Sequence, residues 1–249
     1  MRILGVCLAG LAGGGPGSPP VVLKLAVDSF GCTHGSPLSG SSSPVARFTS
    51  PLSLDLVHSL RSDVDFIVTS SRTVLDDDCS LTVRRGLSYE RSAKDGPVRV
   101  VADRTMAIRK AEEGGRDELR ITKVRGSDPA TIVYTEDARC DWDKEGVEVV
   151  KVDGLSPAVV LRDLLRRKAD CKVMVECGST MAKAWLPHAT TVVVVEAEGR
   201  KFGEGVVSWV KDRDQIGLPK ASEWKWQGDK VQVYGREWEG ETDLSRTQG

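Results

Sequence analysis

Short valine-rich runs alternate with amphipathic segments that open on a Ser-Pro pair, and this alternation sharply limits the folds open to the chain. Residues 21–27 (VVLKLAV), 66–69, 98–102, 131–134, 147–152, 173–176 and 190–196 (TTVVVVE) are β-branched stretches suited to buried strands. Ser50-Pro51 and Ser156-Pro157 each offer a capping hydroxyl followed by proline at the first helical position. Leu52, Leu56, Val57 and Leu60 follow the first pair at helical spacing, and Val160, Leu161, Leu164 and Leu165 follow the second. Arg166, Arg167 and Lys168 then sit where cations suit the negative end of a helix dipole. Strands interleaved with helices predict an α/β chain on a central, largely parallel mixed sheet flanked by helices. Residues 230–236 alternate with Val231 and Val233 on one face, which predicts antiparallel strands at the C-terminal edge.

The 249 residues are read as a leader over 1–20, one domain over 21–240 and a disordered tail over 241–249. Lys plus Arg (35) nearly cancels Asp plus Glu (36), so no basic field draws the chain to nucleic acid or to a membrane. Six cysteines without a CxxC pair point to a reducing compartment. Three scattered histidines with no HExxH argue against a metal site. The apolar run at residues 3–12, behind Arg2, is shorter than the about 20 residues a spanning helix needs. It reads either as part of a targeting signal or as a plain leader, and the location as cytoplasmic or plastid-like organellar.

Two segments carry candidate chemistry. Glu176-Cys177-Gly178-Ser179-Thr180 passes from a strand end through glycine into a short helix ending at Trp185. Free amides there suit an anion, and glycine lets a phosphate approach the backbone; an ordinary strand-to-helix turn satisfies the same pattern. Residues 69–78 read as a loop of hydroxyls and carboxylates suited to ribose, with Arg61 and Arg84 placed to fork a phosphate; a solvated acidic turn is the alternative. Adjacent side chains of Asp76, Asp77 and Asp78 diverge, which disfavours Mg²⁺. Cys177 reads as a reactive thiolate or a buried inert thiol, His58 as a surface histidine, and Trp224, Trp226 and Trp238 as packing for the last strands.

The stretch from Phe66 to Arg84, FIVTSSRTVLDDDCSLTVR, resembles the riboflavin-specific reductases, the RibD C-terminal domain family, which carry a strand and then a TVLADDPxLTVR-like loop. Four more landmarks fall in that family's order: Leu23-Lys24-Leu25-Ala26, the Arg61 helix end (LVHSLRSDVD), residues 97–103 (PVRVVAD) and residues 173–180 (VMVECGST). The resemblance implies a dihydrofolate-reductase-like fold and a homodimer. It also implies NADPH-dependent reduction of the ribosyl group of a 5-phosphoribosylamino-pyrimidine to ribityl in riboflavin biosynthesis. By position it implies cofactor contacts at Ala26, Thr73, Asp77, Gly178, Ser179, Thr180 and Met181. Substrate contacts fall at Arg61, Leu81, Arg84 and Glu176, with both arginines on the phosphate, and Lys24 becomes a proton or hydrogen-bond donor beside the reacting sugar carbon.

The chain departs from that pattern in places. The family's SLDG reads Asp28-Ser29-Phe30-Gly31 here, so Phe30 stands at an aspartate position. Val45 and Arg47 stand near the family's Ser and Trp, Cys79 replaces a proline, and Cys177 replaces the first glycine of an EGG turn. Where a site is built around such polar contacts, their loss costs discrimination of about 10⁴-fold. Three readings follow: the reductase itself, an enzyme of the same fold shifted to another pterin- or pyrimidine-like substrate, and a non-catalytic nucleotide-binding or assembly protein.

Overall fold

A computed structural model of the chain describes residues 19–29, 31–33, 49–84, 96–124, 130–139, 141–199 and 213–235. The expectations placed on residues 1–18, Phe30, Val45, Arg47, Trp238, the greater part of 31–50 and the tail beyond 235 lie outside the described residues. The elements run β1 (Val21–Asp28), α1 (Pro51–Ser62), β2 (Phe66–Ser70), α2 (Ser71–Asp77), β3 (Val98–Ala102), α3 (Ala107–Glu113), β4 (Thr131–Thr135) and β5 (Val147–Lys151). They continue with α4 (Pro157–Arg167), β6 (Val173–Glu176), α5 (Ser179–Trp185), β7 (Thr191–Ala197), β8 (Lys220–Trp226) and β9 (Asp229–Gly235).

The caps form as the sequence requires. Ser50 Oγ accepts the Ser53 amide ahead of α1, and Ser156 Oγ accepts the Val159 amide ahead of α4. Such caps are worth about 1 kcal/mol each. Two helices were not foreseen. The segment read as a loop over 69–78 is the end of β2 followed by α2, because Ser70 Oγ accepts the Thr73 amide and starts a helical turn. Ahead of α3 the Asp103 carboxylate accepts the Ala107 and Ile108 amides at 2.8 and 2.9 Å, doing from four residues back what a capping serine does.

The described strands form one sheet in the order β5-β4-β3-β2-β6-β1-β7-β9-β8. Every pairing from β5 to β7 is parallel, while β9 runs antiparallel to β7 and β8 antiparallel to β9. This is the dihydrofolate-reductase-like α/β arrangement expected above, with the antiparallel strands at the C-terminal edge. Side-chain alternation splits the core. Val21, Leu23, Leu25 and Val27 of β1 pack on the side of α4 and α5. Val22 joins Leu56, Val57 and Leu60 of α1, Val74 of α2 and Ile108 of α3 on the other side.

Chain order and sheet order disagree at one place, and that place positions the site. The chain leaves β1, builds β2 to β5 outward, and then returns to insert β6 between β2 and β1. In open α/β sheets such a reversal leaves a crevice beyond the carboxyl ends of the strands. Here β6 stops at Glu176, whereas β1 runs on for four more residues to Asp28 beside β7.

Candidate active site

One row of residues crosses the sheet on the α1 side. From β4 to β9 it reads Val133, Val101, Thr69, Glu176, Lys24, Val193 and Val233, with Thr69 and Glu176 each one step past the Val68–Val175 pair. Four valines of that row are core residues, so the three polar side chains interrupt an apolar layer at its centre. Burying polar groups among valines costs free energy unless each finds a partner.

Glu176 finds two cations. The Arg61 guanidinium, from the last turn of α1, forks its carboxylate with Nε to Oε1 at 2.6 Å and Nη2 to Oε2 at 3.0 Å. Lys24 Nζ stands 4.0 Å from Oε2, and the Lys24 and Glu176 side chains are only 14% and 12% exposed. Burial alone would raise the Glu176 carboxyl, but Arg61, then Lys24, hold it below the ordinary carboxylate range. The third Arg61 nitrogen, Nη1, donates to the Thr82 carbonyl at 3.2 Å. Each nitrogen of that guanidinium thus makes one bond within the chain, while Arg84, the other arginine expected on a phosphate, is exposed.

The segment after α2 folds back over α1. Asp78 (φ 44°) and Leu81 (φ 51°) both take the left-handed conformation, which costs non-glycine residues of order 1 kcal/mol. Asp78 is held by bonds from the Arg120 amide and Nε, and Leu81 by burial in the α1-side core. Arg84 then donates its amide to His58 Nδ1 at 3.2 Å. His58, expected at the surface, is 1% exposed. The returning segment covers the helix flank that the apolar stripe of α1 leaves polar. The sequence signal was its spacing: His58 lies three residues before Arg61, on the same helix arc.

Two helix starts flank the end of β6. Since β2 and β6 are neighbours, the opening of α2 and the opening of α5 lie at adjoining strand termini. Gly178 caps α5 with φ −74° and no side-chain cap, and a Cβ built on it meets nothing within 4 Å. Neither backbone strain nor packing among the described residues calls for glycine there, which leaves open space beside the first α5 amides. Ser179 is buried, Thr180 exposed, and Met181 leans on the α5-side core. On α2 the Thr73 amide and hydroxyl are both bonded to Ser70 Oγ, and Asp77 is exposed at the last residue of the helix. Ala26 lies on the Lys24 face of β1, beyond the last pair with β6. Thr69 Oγ1, the first hydroxyl of the segment read as suited to ribose, is buried near the end of β2 with no hydrogen-bond partner among the described residues. Burial pushes the Cys79 thiol up to about 12 and raises the half-buried Cys177 thiol as well, which disfavours a thiolate at either.

Residues 38–191 match the RibD C-terminal domain. The chain belongs to the RibD C-terminal domain family. Among curated proteins, this RibD-type chain is 28% identical over 206 residues to the riboflavin biosynthesis protein PYRR, chloroplastic, of Arabidopsis thaliana, covering 80% of this chain and 32% of that protein. Among solved structures it is similar to the Thermotoga maritima diaminohydroxyphosphoribosylaminopyrimidine deaminase/5-amino-6-(5-phosphoribosylamino)uracil reductase. There the TM-score is 0.65 at 25% identity, over 87% of this chain and 56% of that one. The Saccharomyces cerevisiae riboflavin biosynthesis reductase Rib7 shares the fold at TM-score 0.65 and 15% identity, over 94% and 99% of the two chains. The RibD-type chain thus spans 32% of its curated relative and 56% of the Thermotoga enzyme. No helix among the described residues is long and apolar enough to cross a membrane.

Proposed function

We propose that this chain reduces the ribosyl group of a 5-phosphoribosylamino-pyrimidine to a ribityl group in riboflavin biosynthesis, with NADPH as the reductant. The carrying observation is the Thr69–Glu176–Lys24 row, polar and largely withdrawn from solvent, at the strand ends where α2 and α5 begin. Family membership and the names of the Arabidopsis and Thermotoga relatives support it. NADPH, when bound, supplies the hydride. Gly178, Ser179, Thr180 and Met181 would hold it at the opening of α5, with Thr73 and Asp77 across the crevice and Ala26 below. The protein contributes position and charge. Opening of the sugar ring leaves an oxygen that takes a proton, and the Lys24 ammonium beside Glu176 is the donor. Glu176, ionised between two cations, fixes Lys24 and accepts a ribose hydroxyl. Arg61 holds Glu176, Leu81 packs under the substrate, and Arg84 takes its phosphate.

The same reading makes residues 21–240 the catalytic domain of a homodimer. It places that enzyme in the cytoplasm or a plastid-like organelle, with residues 1–20 as a leader. The word chloroplastic in the relative's name favours the organelle. The test is turnover: purified chain is mixed with NADPH and 5-amino-6-(5-phosphoribosylamino)uracil, and cofactor absorbance is followed. Cofactor oxidation with a ribityl product is expected; folded protein that leaves the cofactor reduced overturns the reading. A non-catalytic or substrate-shifted relative is the second reading, favoured by Phe30, Val45 and Arg47 at polar family positions. It predicts NADPH binding without turnover of this substrate.

A further inference from the structure

We propose that His58 is the positioning residue for Arg84: its ring nitrogen fixes the backbone of the segment that delivers the Arg84 guanidinium to the substrate's phosphate. This rests on the reading of Arg84 as the phosphate ligand given above. His58 is 1% exposed, and its Nδ1 accepts the Arg84 amide at 3.2 Å. A nitrogen that accepts carries no hydrogen, so the geometry assigns the tautomer with its hydrogen on Nε2.

Farther along the same helix arc, Arg61 Nη1 donates to the Thr82 carbonyl at 3.2 Å. One arc of α1 therefore supplies an acceptor and a donor to alternate residues of segment 82–84, as a neighbouring strand would. Arg61 also forks Glu176, so α1 sets the separation between the Lys24–Glu176 pair and Arg84. The apolar arc of the helix is made by Leu56, Val57 and Leu60, so its core packing does not depend on an acceptor at position 58. A hydrocarbon side chain there would bury the flank equally well and leave the Arg84 amide without its acceptor.

Two variants and the unmutated protein test this. His58→Phe removes the acceptor at similar volume, and His58→Asn keeps an oxygen near the place of Nδ1. In His58→Phe the Arg84 amide should exchange with solvent about tenfold faster, and KM for the phosphoribosylamino substrate should rise about tenfold, with kcat and the KM for NADPH within about twofold. His58→Asn should restore both. Unchanged exchange in His58→Phe, a fall in kcat with KM intact, or failure of Asn to restore overturns the proposal. Should His58→Phe not fold, the ¹⁵N shifts of the His58 ring in the unmutated protein decide: an unprotonated Nδ1 coupled to the Arg84 amide is expected, and a protonated Nδ1 overturns it. A wild-type protein that does not oxidise NADPH refutes the proposed function, not this placement. Titration with ribose 5-phosphate then decides, with binding weakened about tenfold by His58→Phe and recovered by His58→Asn expected, and equal binding contradictory.

Discussion

The two faces of strands β2, β6 and β1 share one backbone and one register, yet they are built for different ends. Toward α4 and α5 they present Val68, Val175 and Leu23, a continuous part of the core. One residue along each strand, toward α1, they present Thr69, Glu176 and Lys24. The first face draws stability from any hydrocarbon of the right size, at roughly 25 cal/mol per Å² removed from water. The second depends on specific partners, because a buried carboxylate is tolerated only while its cations stay in place. Period-two alternation thus lets stability and chemistry occupy the same strands without competing for positions.

The largest expected effect separates the faces most sharply. Lys24→Met should lower turnover about 10²–10⁴-fold, with a smaller stability loss than Arg61→Met because the Arg61 fork still pairs Glu176. Leu23→Ala, its chain neighbour on the other face, should cost about 2–5 kcal/mol of stability while folded molecules keep their turnover. Equal behaviour of the two variants would erase the distinction. Arg61→Met comes next: it strands Glu176 and should cost about 3–5 kcal/mol by denaturant unfolding. A cost under 1 kcal/mol would show that the pair is not holding the polar face together.

Acidification probes the same pair more gently. The folded Glu176 carboxyl titrates below its ordinary value, so on acidification the unfolded chain takes up the proton first. Its stabilising contribution is complete above the ordinary glutamate value of about 4.3 and is lost as pH falls through the lower folded value. Unfolding free energies measured from neutral to acid pH should show this loss in the wild type and a flatter acid limb in Glu176→Gln. The smallest effect belongs to Thr69→Val, which replaces an unpartnered buried hydroxyl with a methyl group. It should leave stability unchanged or raise it by up to about 1 kcal/mol; a clear loss would mean that the hydroxyl is satisfied in solution.

Much of this was legible before any coordinates. The valine runs form strands because β-branched residues fit a sheet buried on both faces, and Ser50-Pro51 and Ser156-Pro157 begin helices because cap and proline act locally. Lys24 and Glu176 each interrupt an apolar run, and the register sets them side by side. Contacts made far along the chain were not legible. α2 has one buried residue, Val74, and so little periodicity to read, while the Asp103 cap of α3 sits outside the helix it starts. Burial of His58 depends on the return of segment 82–84, and the commitment of Arg61 depends on the insertion of β6 beside β2. Sequence carries a side chain's neighbours on its own element far better than those brought by another.

The central claim is that the adjoining ends of β2 and β6 hold a dinucleotide in the space left at Gly178. Thermal unfolding with and without NADPH, for the wild type and Gly178→Val, tests it directly. At about hundredfold excess over Kd, NADPH should stabilise the wild type by about 2.7 kcal/mol. Gly178→Val should unfold alone within about 1 kcal/mol of the wild type, since its Cβ meets nothing among the described residues, yet gain little from NADPH. No stabilisation of the wild type, or equal stabilisation of both proteins, would contradict the claim.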